Sequence, residues 1–220
     1  MELKAPSLVT AECYPDQKYG LVTEGNLLRD LLGYYGSIHT YCGSFNPAHK
    51  QHQTIAEAVI HYARLEARFS LTPVLAIAEM CIAPRGKNTR TLELEQVRQV
   101  SRDLKLPVFI SDKTYFIDKL EQLHSLASKT INVCFHVGVD TLIRLIQDSS
   151  TVEVNKMPCT FIYYPRQGYS LDRTGISNVF KGSLSTYEYS GLSSTAIREN
   201  LTSKSEGCKV YYNGTCPRCW

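Results

Sequence analysis

The chain has 220 residues, of which 24 are basic and 21 are acidic, so its net charge is +3 when His is neutral. This near-balance argues against a strongly cationic nucleic-acid binder and against an acidic, solvating tail. An apolar content of 43% indicates a globular protein with a core, and the length favours one domain with short appendages. We expect no membrane span, because no apolar run approaches the roughly 20 residues that a bilayer requires. We also expect no signal peptide, because residues 1–6 lack a basic stretch followed by an apolar one.

The eight cysteines do not predict a disulfide framework. Without a signal peptide we expect a reducing compartment, the cytoplasm or alternatively the nucleus, where a free Cys behaves as a small buried hydrophobe. Cys208, Cys216 and Cys219 cluster near the C-terminus, but a closed zinc site needs a fourth ligand. The sequence therefore predicts no metal ion held by the protein's own side chains.

The chain is predicted to begin with an extension over residues 1–35 that carries one helix, because Leu27, Leu28, Leu31 and Leu32 recur at helical spacing. Strand and helix patterns then alternate through a domain over residues 36–201, and residues 202–220 form a tail. The predicted strands cover residues 37–42, 74–78, 108–111, 131–137, 160–164 and 183–189. The predicted helices cover residues 49–68, 92–104, 116–127, 140–147 and 193–201. This alternation is typical of an α/β fold with a parallel sheet.

The segment GSFNPAHKQH, residues 43–52, follows the first strand of the domain and opens its first long helix. Ligands bind beyond the carboxyl ends of parallel strands, Gly43 allows close approach of a backbone, and free N–H groups at a helix start suit a phosphate. His49 and His52 are three residues apart and share one helix face. The segment predicts a phosphate site; the alternatives are an ordinary turn before a helix, or a zinc pair that lacks its other ligands.

Two later segments also follow predicted strands or open helices. In residues 193–198, SSTAIR, the hydroxyls, backbone amides and Arg198 are suited to phosphate, although an ordinary N-cap with a surface Arg explains the same residues. After the strand over residues 131–137, Asp140 is suited to accept hydrogen bonds from ribose hydroxyls, to cap a helix, or to do both.

These segments resemble, in order, the signatures of the nucleotidylyltransferase superfamily. Residues 43–52 are similar to G-x-F-x-P-x-(H/T)-x-x-H, and the opening GSFNP resembles nicotinamide/nicotinate mononucleotide adenylyltransferases in particular. Residues 192–198 are similar to I-S-S-T-x-I-R, and residues 137–142 to (V/I)-G-x-D-x-L. Residues 163–169, with Arg166, resemble the family's R-P-G-Y-type turn. Gln51 departs from the Gly that often precedes the second His.

The resemblance implies a Rossmann-like three-layer α/β/α sandwich with a mostly parallel sheet. It implies a reaction in which the 5′-phosphate of nicotinamide or nicotinate mononucleotide attacks the α-phosphorus of ATP directly, with Mg²⁺ bound through ATP. The catalytic residues would be His49 and His52. The implied ATP and dinucleotide contacts are Gly43, Ser44, Phe45, Gly138, Asp140, Arg166, Ser193, Ser194, Thr195 and Arg198. The implied mononucleotide contacts are Lys87, in a basic loop, and Tyr115 and Phe116, at a start similar to Y-T-(I/V)-(D/E)-T-L.

Two other functions remain open from the sequence. One is a different nucleotidylyltransferase, for example one that acts on phosphopantetheine, and the other is a non-catalytic nucleotide-binding protein on the same fold. The expected partners are the two substrates, without nucleic acid or membrane. The sequence leaves a homo-oligomer and the choice between the amide and the acid mononucleotide open.

Overall fold

The structure, a computed structural model, describes residues 2–3, 7–9, 36–70, 73–82, 92–127, 130–166, 168–171 and 175–184. Its strands are β1 (Glu2–Leu3), β2 (Ser7–Val9), β3 (Ser37–Gly43), β4 (Val74–Cys81), β5 (Leu92–Glu93), β6 (Val108–Ser111), β7 (Asn132–Gly138), β8 (Thr160–Tyr164) and β9 (Val179–Lys181). Its helices are α1 (Lys50–Phe69), α2 (Leu94–Leu104), α3 (Phe116–Leu126) and α4 (Val139–Lys156).

Seven of these strands form one sheet in the order β2-β6-β4-β3-β7-β8-β9. All neighbours from β6 to β9 are parallel, and β2 pairs antiparallel with β6 at one edge. Strands β1 and β5 form a separate antiparallel pair. The predicted α/β fold with a mostly parallel, Rossmann-like sheet is confirmed.

The sheet has a core on each face, because alternate side chains of a strand point to opposite sides. On one face, α1 and α2 pack over strand residues such as Tyr41 and Cys134. On the other face, α3 and α4 pack over residues such as Ile38, Phe135 and Phe161. The result is the three-layer arrangement that the resemblance implied.

The helices follow from local sequence features. Helix α1 buries residues at helical spacing, among them Ile55 and Val59, against the sheet. Helix α2 begins at a capping box formed by Glu93 and Gln96, and it ends at Lys105, which has a left-handed φ of 54°. No helix in the described part of the chain is both long and apolar enough to cross a bilayer.

Most of the predicted elements lie within a few residues of those observed. The strands predicted at 108–111 and 160–164 match β6 and β8 to the residue. Helix α4 is much longer than the prediction for residues 140–147, and it is interrupted at Ser150, whose φ of 61° is not helical.

Other predictions differ from the structure. The strand predicted at 183–189 is wrong for its described residues, Ser183 and Leu184, because the strand that pairs with β8 is β9 instead. Strands β1 and β2 were missed within the segment assigned to the N-terminal extension. The helices predicted around residues 27–32 and at 193–201 lie outside the described residues.

A buried ion pair ties the sheet to α3. The ammonium of Lys119 on α3 lies 2.7 Å from the carboxylate of Glu79 on β4, and the two side chains are only 8% and 3% exposed. Burial is the largest single influence and by itself would lower the pKa of Lys119, but the Glu79 carboxylate, together with Cys42 and Cys81, outweighs it and raises that pKa above its ordinary value. The Lys119 ammonium therefore stays charged within the protein.

We predict that Lys119→Met destabilises the fold by about 3–5 kcal/mol, because the change leaves the Glu79 carboxylate buried without its partner. The double variant Lys119→Met with Glu79→Leu should recover most of this loss. Equilibrium unfolding in urea measures both. The matched control is Arg102→Met in the exposed Arg102–Glu95 pair, which should leave the free energy of unfolding nearly unchanged. Equal losses in the buried and exposed variants would contradict the prediction.

Candidate functional site

The strand order places a crevice between β3 and β7. These strands are parallel neighbours at the centre of the sheet. From β3 the chain continues to β4 and β6 on one side, whereas β7 leads to β8 and β9 on the other. Ligands of open α/β sheets bind beyond the carboxyl ends of the strands at such a reversal. The segments that follow β3 and β7 are those that the sequence predicted to bind phosphate and ribose.

The turn after β3 is built around Phe45. Its side chain is 1% exposed, and its ring packs edge-on against Tyr41 and His52, with centroid separations of 4.9 Å and 5.2 Å. A Cβ atom added at Gly43 would lie 2.6 Å from the Phe45 ring. Gly43 is therefore required for Phe45 to fold back beneath the turn, and Phe45 in turn supports one ring of the His pair.

The two predicted catalytic histidines lie together at the start of α1. His49 is the N-cap residue and His52 lies in the first turn, and their rings stack with centroids 3.8 Å apart and planes 24° apart. The Nδ1 atom of each is buried and has no hydrogen-bond partner among the described residues. Two unsatisfied ring nitrogens at a helix start are an arrangement that a bound acceptor such as a phosphate oxygen would complete.

Burial and neighbouring cations keep both rings neutral. Burial is the main cause that lowers the pKa of His49 to about 4, and the Arg166 guanidinium adds to it. Burial likewise lowers the pKa of His52 to about 3, with further contributions from His49 and Arg166. Because a nearby anion favours the charged form, bound phosphate would raise both pKa values.

The other side of the crevice is formed by the start of α4 and the segment after β8. The carboxylate of Asp140 lies 3.5 Å from the guanidinium of Arg166 and 3.2 Å from that of Arg144. A Cβ atom added at Gly138 would lie 2.7 Å from Oδ1 of Asp140, so this glycine gives the carboxylate its room. The guanidinium of Arg166 also lies 6.0 Å from the ring of Tyr169. Asp140 thus orients the cation that acts on the His pair.

The structure brings most of the predicted residues to this crevice. Those that follow β3 are Gly43, Ser44, Phe45, His49 and His52, and those that follow β7 and β8 are Gly138, Asp140 and Arg166. The predicted residues Lys87, Ser193, Ser194, Thr195 and Arg198 lie outside the described residues. Their roles stay predictions from the sequence.

The two remaining predicted contacts lie beyond β6. Tyr115 is the N-cap residue of α3 and is 51% exposed. The ring of Phe116 is 9% exposed and packs edge-on against Phe135 and Phe161 in the core. Tyr115 is therefore open to a ligand at this edge of the sheet, whereas the Phe116 side chain supports the sheet.

Sequence reasoning missed two residues of the crevice. Tyr41 lies beneath the turn, 6.4 Å from His52 between ring centroids, and burial raises its pKa well above the ordinary value, with Asp140 adding to the effect. Arg144 pairs with Asp140 one helical turn earlier. The i, i+4 spacing of Asp140 and Arg144 is a sequence signal that indicates this pair, whereas Tyr41 leaves no comparable local signal.

A cytidylyltransferase-like family model matches residues 40–200. The matched span begins within β3 and includes the His pair, the start of α4 and Arg166. No curated protein matches the chain.

We predict that the stability of the protein depends on pH through His52. In the unfolded chain this His takes up a proton below about pH 6.5, whereas in the folded protein it does so only near pH 3. Stability is therefore lost as the pH falls from 6.5, by at most about 1.4 kcal/mol per pH unit for this one group. In urea unfolding between pH 6 and pH 5, His52→Gln should show a shallower loss than the wild type.

The matched control is His61→Gln, because His61 lies on the exposed side of the same helix. Its pH dependence should follow that of the wild type. An unchanged pH dependence in His52→Gln would show that His52 is not held neutral by the fold.

Proposed function

Because the chain belongs to the cytidylyltransferase-like family, we propose that it is an adenylyltransferase that joins ATP to nicotinamide or nicotinate mononucleotide and releases pyrophosphate. The family supports nucleotidylyl transfer in general. The pyridine mononucleotide is supported by the resemblance of residues 43–47 and 192–198. The observation that carries the proposal is the stacked His49–His52 pair, with both buried Nδ1 atoms unsatisfied among the described residues, at the start of the helix that follows β3.

In this reaction the 5′-phosphate of the mononucleotide attacks the α-phosphorus of ATP, the new P–O bond forms, and pyrophosphate leaves. Such a displacement requires positioning and charge neutralisation and needs no protein nucleophile. His49 and His52 would donate hydrogen bonds to the phosphate oxygens as negative charge builds up, together with the free N–H groups of α1. The half-buried setting strengthens these donors, since less water competes for the phosphate.

The strand order supports two substrate pockets that flank the His pair. Asp140 and Arg166 follow β7 and β8 on one side of β3, where they suit the ribose and phosphates of ATP, with Ser193–Thr195 and Arg198 as further predicted phosphate contacts. Tyr115 follows β6 on the other side, where it suits the mononucleotide, with Lys87 as a predicted phosphate contact. Substrates bound on opposite sides of β3 would meet above the His pair.

Mg²⁺ fits this site as an ion carried by ATP, where it would neutralise phosphate charge. Asp140 is the carboxylate beside the His pair, and its oxygen is already paired with Arg144 and Arg166. Mg²⁺ keeps several waters and binds through substrate phosphates and few carboxylates. We therefore assign its binding mainly to the nucleotide.

We predict that His52→Ala lowers the turnover number by roughly 10²-fold or more, because one donor to the transition state is lost. Pyrophosphate release with Mg-ATP and the pyridine mononucleotide measures it. The matched control is His61→Ala on the exposed side of α1, which should keep wild-type turnover. A loss below about threefold in His52→Ala would contradict the role of His52.

The same assay separates the alternative functions. Each candidate acceptor, the pyridine mononucleotides and phosphopantetheine, is incubated with Mg-ATP and the wild-type protein. Dinucleotide formation with the pyridine substrate supports the proposal. Turnover with phosphopantetheine alone would assign the chain to another nucleotidylyltransferase, and no turnover with any acceptor would indicate a non-catalytic nucleotide-binding protein.

We predict that Tyr115→Ala raises the KM for the mononucleotide by roughly tenfold, because stacking between a base and an aromatic ring contributes about 1–3 kcal/mol. The KM for ATP should change little, since Tyr115 lies on the other side of β3. Tyr115→Phe is the matched control, because it keeps the ring and should keep the wild-type KM. An unchanged KM in Tyr115→Ala would remove Tyr115 from the pocket.

A further inference from the structure

Three metal-ligating side chains converge on the α1 face of the sheet. In the parallel pairing of β3 and β7, His39 lies opposite Cys134 and Tyr41 lies opposite His136. Cys134 and His136 are two residues apart and so share one face of β7. A ring nitrogen of His39, a ring nitrogen of His136 and Sγ of Cys134 lie within 4.8 Å of one another. The three residues are 3%, 0% and 7% exposed. We call them the His–Cys cluster.

The two rings of the His–Cys cluster are each held on their outer side by a hydrogen bond to an oxygen. Nδ1 of His39 and Nε2 of His136 face each other at 2.8 Å, and Sγ of Cys134 lies 3.7 Å from the same Nε2. On the far side of each ring, Nε2 of His39 lies 2.8 Å from the carboxylate of Glu66, and Nδ1 of His136 lies 2.7 Å from the hydroxyl of Tyr164. Two imidazoles whose outer nitrogens are each hydrogen-bonded to an oxygen, and whose inner nitrogens converge beside a thiol, have the arrangement of metal ligands and their supporting shell.

We propose that the His–Cys cluster binds a divalent ion of borderline softness, such as Zn²⁺, through Nδ1 of His39, Nε2 of His136 and Sγ of Cys134. Imidazole and thiolate together favour such an ion over Mg²⁺ or Ca²⁺, which prefer oxygen ligands. Glu66 and Tyr164 fix the orientation of the two rings. The fourth position would be taken by water, as in open zinc sites with three protein ligands. This site is separate from the proposed catalytic histidines and does not depend on the proposed function.

Two of the three separations between the ligand atoms fit this ion after a small adjustment, and the third, from His39 to Sγ of Cys134, lies within 4.8 Å. Tetrahedral zinc with Zn–N of about 2.05 Å and Zn–S of about 2.3 Å separates N from S by about 3.6 Å and N from N by about 3.3 Å. The S–N separation of 3.7 Å already agrees, whereas the rings, at 2.8 Å, would move apart by about 0.5 Å.

Proton balance is also satisfied. Binding releases one proton, from the Cys134 thiol. Without an ion, Nε2 of His136 carries a proton that it donates to Nδ1 of His39. When the ion binds Nε2, this proton moves to Nδ1 of His136, which then donates to the Tyr164 oxygen.

An ion can reach the cluster from outside. A cleft of about 450 Å³ at the amino ends of the strands is lined by His39, Cys134 and Glu66, together with Ser37 and Asn132 at the starts of β3 and β7. The crevice between β3 and β7 that holds the candidate site lies at the opposite, carboxyl ends of these strands. Gly43 follows His39 by four residues, which corresponds to about 13 Å along the strand. Metal entry therefore does not require passage through the nucleotide site.

Without an ion, the same groups form a hydrogen-bonded relay from Tyr164 through His136 and His39 to Glu66. Tyr164 then donates to Nδ1 of His136, Nε2–H of His136 donates to Nδ1 of His39, and Nε2–H of His39 donates to Glu66. The separation of 2.8 Å between the rings suits this protonated bridge. The relay is the result that the experiment must distinguish from metal binding.

The experiment titrates the reduced, full-length protein with Co²⁺ and records its visible spectrum and its bound metal after gel filtration. We expect a thiolate-to-cobalt charge-transfer band, ligand-field bands of tetrahedral Co²⁺, and displacement of Co²⁺ by Zn²⁺. Cys134→Ser should remove the charge-transfer band, and the matched control Cys159→Ser, a half-buried thiol outside the cluster, should keep it. Zn²⁺ should raise the Tm of the wild type and of Cys159→Ser but not that of Cys134→Ser.

His39→Gln is a second variant that keeps a polar group in the cluster, with folding checked by circular dichroism. Because His39 is itself a ligand, the change should weaken Co²⁺ binding by at least the roughly 10- to 100-fold that loss of a supporting contact costs. Two results would overturn the proposal. One is a wild-type protein without the charge-transfer band, which leaves the relay. The other is a band that survives in Cys134→Ser and is lost in Cys219→Ser, which would assign the ion to the C-terminal cysteines.

Discussion

Strands β3 and β7 pair in the middle of the sheet, and the chain leaves them in opposite directions. Because β3 leads through a short turn into α1 and β7 leads directly into α4, the pairing brings the starts of both helices to one crevice. The partial positive charge and free N–H groups of both helix starts are therefore available to one anionic ligand. Every part of the candidate site, from the His pair to Asp140 and Arg166, depends on this pairing and its register.

The two histidine rings of the crevice are neutral and, within the described part of the chain, lack hydrogen-bond partners that a phosphate can supply. Burial and Arg166 hold His49 and His52 neutral, and their Nδ1 atoms lack partners among the described residues. Phe45 fixes the plane of one ring from below, and Asp140 holds the guanidinium that acts on both. An anionic ligand reverses the balance, since it supplies the acceptor and favours the charged rings. The site is thus organised before the substrate arrives, which is what catalysis by positioning requires.

Two groups of buried polar side chains lie on opposite faces of the sheet. The Glu79–Lys119 pair joins β4 to α3. The His–Cys cluster, with Glu66 and Tyr164, joins β3 and β7 to α1 and β8. Buried polar groups stabilise a fold only when their partners are present. A shift of either element in such a contact would leave a buried polar group without its partner and would cost free energy. The His–Cys cluster lies in β3 and β7, whose carboxyl ends form the crevice, and it helps to hold the two sides of the crevice in register. The Glu79–Lys119 pair holds α3 against the neighbouring strand β4.

The sequence by itself determined the elements and site residues that depend on local spacing. The period of apolar residues located β6, β8 and the start of α3, and the GSFNPAHKQH segment located the His pair, because neighbours on a helix or strand are fixed by backbone geometry. Only the tertiary structure decided the pairings between distant segments. Strand β9 has three residues, too few to show alternation, and is a strand because it pairs with β8. His39 and His136 are 97 residues apart, and only the register of β3 against β7 brings them together.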